Sequence, residues 1–111
     1  PLTAETRGLI DAAALARLPA GAHVINVARG EVVVEAALVA ALQSGHLAGA
    51  CLDVFEHEPL DAASPLWGQP GVIVTPHSAG QSAGHAARVA AIFADNLARW
   101  LRGEALAHAV A

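Results

Sequence analysis

Two short runs, Ala50 to Val54 and Val72 to Val74, constrain this chain more than any other feature. Each is brief, rich in β-branched or other apolar residues and flanked by Gly, Pro or Asp, the pattern of strands buried in a parallel sheet. Each also stops abruptly at a polar cluster. The first delivers Asp53 and Glu58, and the second delivers His77. In open α/β sheets ligands gather outside the carboxyl ends of the strands. A carboxylate and an imidazole carried there by neighbouring strands can therefore meet, which points to acid/base chemistry.

The rest of the chain supplies the frame for those two runs. Asp11 is placed to cap a short helix over Ala12–Leu18 that Pro19 and Gly21 stop, and Thr3 is a second candidate cap. The β-branched residues of His23 to Ala28 predict a strand that ends at Arg29-Gly30. Glu35 to Ser44 has helical apolar spacing, with Gly45 as its terminator, and Leu47 to Val54 predicts the next strand. Strand, helix and strand in about 30 residues make a βαβ unit. Residues 55 to 71 read as a long loop, and loops of that length are usually functional. Val72 to Thr75 completes the strands. Ser82 to Arg102 predicts a long helix carrying Val89, Phe93, Leu97 and Trp100 near one stripe, a core or subunit-contact face. The fold class is thus α/β: a parallel sheet with flanking helices and a long C-terminal helix.

Composition narrows the functional classes. The 111 residues suffice for one small domain, and the 55% hydrophobic content gives it a core to bury. A formal net charge of −4 offers no electrostatic reason for nucleic acid or an anionic membrane as a partner. No apolar run approaches the roughly 18 residues of a membrane span. Cys51 is the only cysteine, so no internal disulfide can form, which fits a reducing cytoplasm. The chain opens on Pro1 and contains no methionine, so it reads as part of a longer protein.

Several residues could carry chemistry. Arg29, directly after a strand, is either a surface arginine paired with a nearby acid or a planar fork that grips a substrate carboxylate. Glu58 and His77 could form a carboxylate–imidazole dyad, in which a negative neighbour favours imidazolium and so a general acid. Asp53 either bonds local backbone or contacts a ligand or cofactor. Trp67 either plugs the long loop or lines a pocket. Cys51 is read as packing. The histidines show no HxxxH or HxH spacing, which argues against zinc, and there is no GxGxxG, P-loop or CxxC motif.

Four stretches taken together are more specific. They are Pro1-Leu2-Thr3-Ala4-Glu5-Thr6, Ile25-Asn26-Val27-Ala28-Arg29-Gly30, Leu52-Asp53-Val54-Phe55-Glu56-His57-Glu58-Pro59 and Thr75-Pro76-His77-Ser78-Ala79-Gly80. In this order the chain resembles the NAD(P)-dependent D-isomer-specific 2-hydroxyacid dehydrogenases from Pro1 to about Gly103. Ser64-Pro65-Leu66-Trp67 is most similar to their glyoxylate/hydroxypyruvate reductase branch. The resemblance implies that Arg29 binds the 2-oxoacid carboxylate, that His77 donates the proton and that Glu58 is its charge partner. It implies that Asp53 holds the nicotinamide carboxamide of NAD or NADP, while Thr3, Val27, Ala28 and Gly80 lie along the nicotinamide ribose. It further implies that residues 1–111 form the second half of a Rossmann-type parallel sheet, the C-terminal part of a dinucleotide-binding domain, in a two-domain, homodimeric enzyme. The glycine-rich phosphate loop of that family is not in this sequence. The isolated chain is therefore expected to bind nicotinamide cofactors poorly, turn over nothing and self-associate through an unpaired strand edge. The same fold also serves cofactor-binding corepressors, the alternative reading.

Overall fold

A computed structural model describes residues 1–109 and divides the chain into two compact units, Pro1–Gly80 and a second beginning at Gln81. The first unit holds the sheet. Its elements are helix α1 (Ala12–Ala16), strand β1 (Ala22–Asn26), helix α2 (Glu35–Gln43), strand β2 (Leu47–Leu52) and strand β3 (Val72–Val74). All strand pairing is parallel, in the order β1-β2-β3, with Val24, Ala50 and Val72 in one row and Ile25, Cys51 and Ile73 in the next. The row of Val24, Ala50 and Val72 belongs to the core, where Leu15, Leu38, Leu42, Leu47 and Leu52 are buried. Each fully buried leucine is worth about 1.5–3 kcal/mol of transfer free energy. On the opposite row Ile25 and Ile73 are 71% and 61% exposed.

The strands stop earlier than the apolar pattern predicts, and side chains explain why. β1 ends at Asn26 rather than Ala28 because the Asn26 amide turns the chain. Its Nδ2 donates to the Arg29 carbonyl (3.0 Å) and its Oδ1 accepts from Ala28 N–H (3.1 Å). β2 ends at Leu52 rather than Val54, although Asp53 N–H still donates to the Asn26 carbonyl at 3.0 Å. β3 ends at Val74, with Thr75 N–H donating to the Leu52 carbonyl at 2.9 Å. These residual bonds keep the three carboxyl ends in register where the polar residues begin.

The helices behave similarly. Asp11 caps α1 as its spacing predicts, accepting Ala14 N–H at 2.8 Å, but the helix closes at Ala16 instead of Leu18. Thr3 shapes a single turn rather than a helix, exchanging hydrogen bonds with Thr6. The long loop contains a 3₁₀ turn at Pro65–Trp67, opened by Ser64, which buries Leu66 to 1% exposure. Leu66, not Trp67, is therefore the plug.

In the second unit, α3 spans His85–Leu101. It starts three residues later than the apolar spacing suggests because Gly84 lies at its N-cap in the left-handed region (φ 74°), where non-glycine residues are disfavoured. None of its residues is buried, so the Val89–Trp100 stripe is not core. Asn96 ties the following segment back to the helix, accepting from Ala107 N–H (2.8 Å) and donating to its carbonyl (3.1 Å). No helix among the described residues is long and apolar enough to cross a membrane.

Candidate active site

The site grows from one buried carboxylate. Asp53 leaves the end of β2 with 2% of its surface exposed, a position that requires hydrogen-bond partners. It has three. Oδ1 accepts from the Thr75 hydroxyl (2.6 Å) and Ser78 N–H (2.9 Å), while Oδ2 accepts from Ala79 N–H (2.8 Å). The Thr75 hydroxyl, then the Ala79 N–H, hold the Asp53 carboxyl below the usual carboxylate range. A carboxylate has about four acceptor sites, so one on Oδ2 is left for a further donor.

By gathering donors from residues 75 to 79, Asp53 folds that segment into a tight corner. His77 N–H donates to the Thr75 carbonyl at 3.1 Å, and His77 adopts a left-handed backbone conformation, φ 51°. Such a φ is uncommon outside glycine and persists where its surroundings impose it. The result aims the imidazole at Glu58, with His77 Nδ1 lying 2.7 Å from Glu58 Oε2. The other oxygen, Oε1, accepts Phe55 N–H at 3.0 Å. These two bonds, the histidine's first, lower the Glu58 pKa, and the Arg29 charge adds to the effect. Both side chains of the pair remain partly open to solvent.

The pair borders a cleft of about 580 Å³ whose walls include Phe55, Leu60, Trp67 and Thr75. Trp67 is 56% exposed and anchored by its indole N–H on the Asp61 carbonyl at 2.8 Å, so it lines the pocket instead of filling the core.

Arg29 is held differently. It is exposed, and its Nη1 donates to the Ala28 carbonyl at 2.6 Å. Gly30 then packs flat on the loop that carries Glu58. A Cβ built there would lie 1.9 Å from the Phe55 carbonyl carbon and oxygen, a separation no side chain could occupy. The ends of β1 and β2 thus abut, which brings Arg29, Asp53, Glu58 and His77 to one rim of the sheet. Val27 and Ala28 are exposed beside Arg29, and Gly80 has open space around its Cα. Thr3 sits in the opening turn bonded to Thr6, and no hydrogen bond among the described residues joins it to the dyad.

A further motif begins at Gly80. Gly80-Gln81-Ser82-Ala83-Gly84 has GxSxG spacing, but a nucleophile elbow sits directly between a strand and a helix. Here Ser82 lies eight residues past β3, and its Oγ accepts from Arg88 Nη2 at 2.6 Å. Among the described residues no group of three or more His, Cys, Asp or Glu side chains could hold a metal ion.

Residues 1–79 match the family described as D-isomer specific 2-hydroxyacid dehydrogenase, NAD binding domain. The chain belongs to that family. Glyoxylate/hydroxypyruvate reductase A of Klebsiella pneumoniae is 57% identical over 79 residues, covering 71% of this chain and 25% of that protein. A D-isomer specific 2-hydroxyacid dehydrogenase from Xanthobacter autotrophicus Py2, solved with NADPH and MES, superposes with a TM-score of 0.92 at 54% identity. That match covers 100% of this chain and 45% of the solved one. The NADPH-dependent glyoxylate/hydroxypyruvate reductase of Sinorhizobium meliloti, solved with NADP and sulfate, gives 0.86 at 46% identity, covering 99% and 36%. The chain thus spans about a quarter of the length of the curated relatives it matches. Its three-stranded parallel sheet with flanking helices is the Rossmann-like α/β arrangement of these dehydrogenase structures.

Proposed function

We propose that this chain supplies the nicotinamide end and the proton donor of an NAD(P)-dependent oxidoreductase that reduces small 2-oxoacids of the glyoxylate or hydroxypyruvate type to D-2-hydroxyacids. The observation that carries the reading is the 2.7 Å contact of His77 Nδ1 with Glu58 at the rim of the cleft, in a chain of this family. With Nδ1 committed to Glu58, Nε2 is the nitrogen left to face a substrate. His77 donates its Nε2 proton to the carbonyl oxygen as that oxygen gains charge, and takes a proton back in the reverse direction. Glu58, kept ionised by its two hydrogen bonds, orients the ring and stabilises the imidazolium. Arg29 holds the substrate carboxylate through its planar fork, which fixes the 2-oxo group relative to His77.

The cofactor, NAD or NADP, supplies the hydride when bound. The fourth acceptor site of Asp53 suits an amide N–H of the nicotinamide carboxamide. Exposed Val27 and Ala28, with open Gly80, suit close backbone approach to a ribose, and Thr3 is assigned to the same edge. Residues 1–111 act as the later part of a dinucleotide-binding domain within a longer, homodimeric, cytoplasmic enzyme. The greater length of the relatives supports the longer enzyme.

The test is steady-state kinetics of the complete enzyme on a panel of 2-oxoacids with both cofactors, comparing wild type with Arg29→Ala, Glu58→Ala and His77→Ala. Loss of kcat in the Glu58 and His77 variants and a raised substrate KM in the Arg29 variant are expected. Undiminished turnover by His77→Ala would refute the assignment.

A further inference from the structure

The Glu58 carboxylate needs a fixed platform, and the described contacts place that platform outside the dyad. β2 ends at Leu52, so Glu58 hangs six residues beyond the sheet on the segment Asp53–Glu58. Besides the His77 contact at Oε2, the carboxylate accepts Phe55 N–H at Oε1, so whatever holds the Phe55–Glu56 backbone also sets this carboxylate.

Helix α2 begins at Glu35 behind Val34, whose side chain makes no capping bond. The first N–H of the helix is instead taken by a residue 21 positions away: Glu35 N–H donates to Glu56 Oε1 at 2.8 Å. The contact is returned, because Glu56 N–H donates to Glu35 Oε2 at 3.3 Å. Each glutamate therefore accepts the other's backbone N–H, as the two partners of a capping box do within one helix. Both negative charges also lie at the positive end of the α2 dipole, where they are favoured. Gly30 closes the third side, its Cα flat against the Phe55–Glu56 peptide.

We propose that Glu35 and Glu56 form a reciprocal clamp that pins the Phe55–Glu58 corner to the start of α2 and thereby positions Glu58 against His77. Glu56 touches neither His77 nor the cleft wall; it is a positioning residue acting through the backbone. The clamp bears on the reaction only through the role assigned to Glu58 above, but its existence is tested without turnover.

Because Glu58 titrates below the usual range on account of His77 and Phe55 N–H, its own titration reports whether the corner is held. The experiment follows the Glu58 carboxyl carbon by NMR across acid pH in the complete enzyme, with thermal melting recorded alongside. Glu56→Gln keeps an acceptor oxygen and is expected to leave the Glu58 midpoint at its wild-type value. Glu56→Ala removes the acceptor and is expected to move the midpoint upward. Glu35→Ala removes only the longer return bond, serves if Glu56→Ala does not fold, and is expected to give a smaller upward move. An unchanged Glu58 midpoint in a folded Glu56→Ala chain, even with a lower Tm, would overturn the proposal, as would an unchanged midpoint in Glu35→Ala. Failure of the catalytic reading would show separately, as retained turnover in the Glu58 and His77 variants of the complete enzyme.

Discussion

The imidazole and the guanidinium stand on the same rim but are held in opposite ways. His77 is built in: its backbone is folded by three donors to buried Asp53, and its ring is tied to Glu58, itself tied to Phe55. Arg29 is exposed and bonds the carbonyl next to it. On the proposed function, the proton donor is pre-arranged within Pro1–Gly80 by these bonds, whereas the arginine proposed to grip the carboxylate is held only by its own neighbour. Preorganised groups contribute to rate because they need no rearrangement at the moment of reaction. A loosely held arginine contributes mainly to binding.

The sharpest way to break this contrast is His77→Ala in the complete enzyme. Loss of a positioned general acid is expected to lower kcat by roughly 10²–10⁴-fold, with the cofactor KM unchanged. Next in size is Asp53→Ala, which strips the Thr75, Ser78 and Ala79 donors of their acceptor. It is expected to lower both Tm and kcat, and the amide N–H groups of Ser78 and Ala79 should lose hydrogen-exchange protection. If Asp53→Ala left that protection intact, the 75–79 corner would have another support. Arg29→Lys sharpens the other half. It keeps the charge but loses the planar fork, and should raise the substrate KM roughly tenfold, about the worth of one charge-assisted hydrogen bond. Its Tm should stay at the wild-type value. A fallen Tm would mean that Arg29 is built in after all.

The smallest effect is on stability against pH. Asp53 and Glu58 both have lowered pKa values in the folded chain. Their contribution is therefore complete above the ordinary carboxylate range and drains away as pH falls through their lower folded values. Tm should be level from neutral pH down to about 5 and decline below about 4. Glu58→Gln should make that decline shallower, whereas Arg29→Lys should leave it nearly unchanged.

What was legible in the sequence follows the same division. The strand positions and the acids at their ends could be read because an apolar run that stops at Asp or His marks a buried-to-exposed boundary. The end of β1 could not be read that way, since Val27 and Ala28 continue the apolar run and only the side-chain turn of Asn26 breaks it. Leu66 and Trp67 are adjacent and both apolar, so composition could not decide which one is buried. The Glu35–Glu56 exchange joins residues 21 apart and has no linear spacing to reveal it. The left-handed backbone at His77 depends on three donors converging on one carboxylate, a tertiary fact that propensity does not encode. The second unit is the inverse case: its helical stripe was plain in the sequence, yet α3 buries none of it.

The central claim is that Glu58 holds His77 by Nδ1 and leaves Nε2 for the substrate. Nitrogen-15 NMR of the His77 ring near neutral pH tests it most directly. A protonated Nδ1 whose resonance moves in Glu58→Gln is the predicted result; a bare Nδ1 indifferent to that substitution would contradict it.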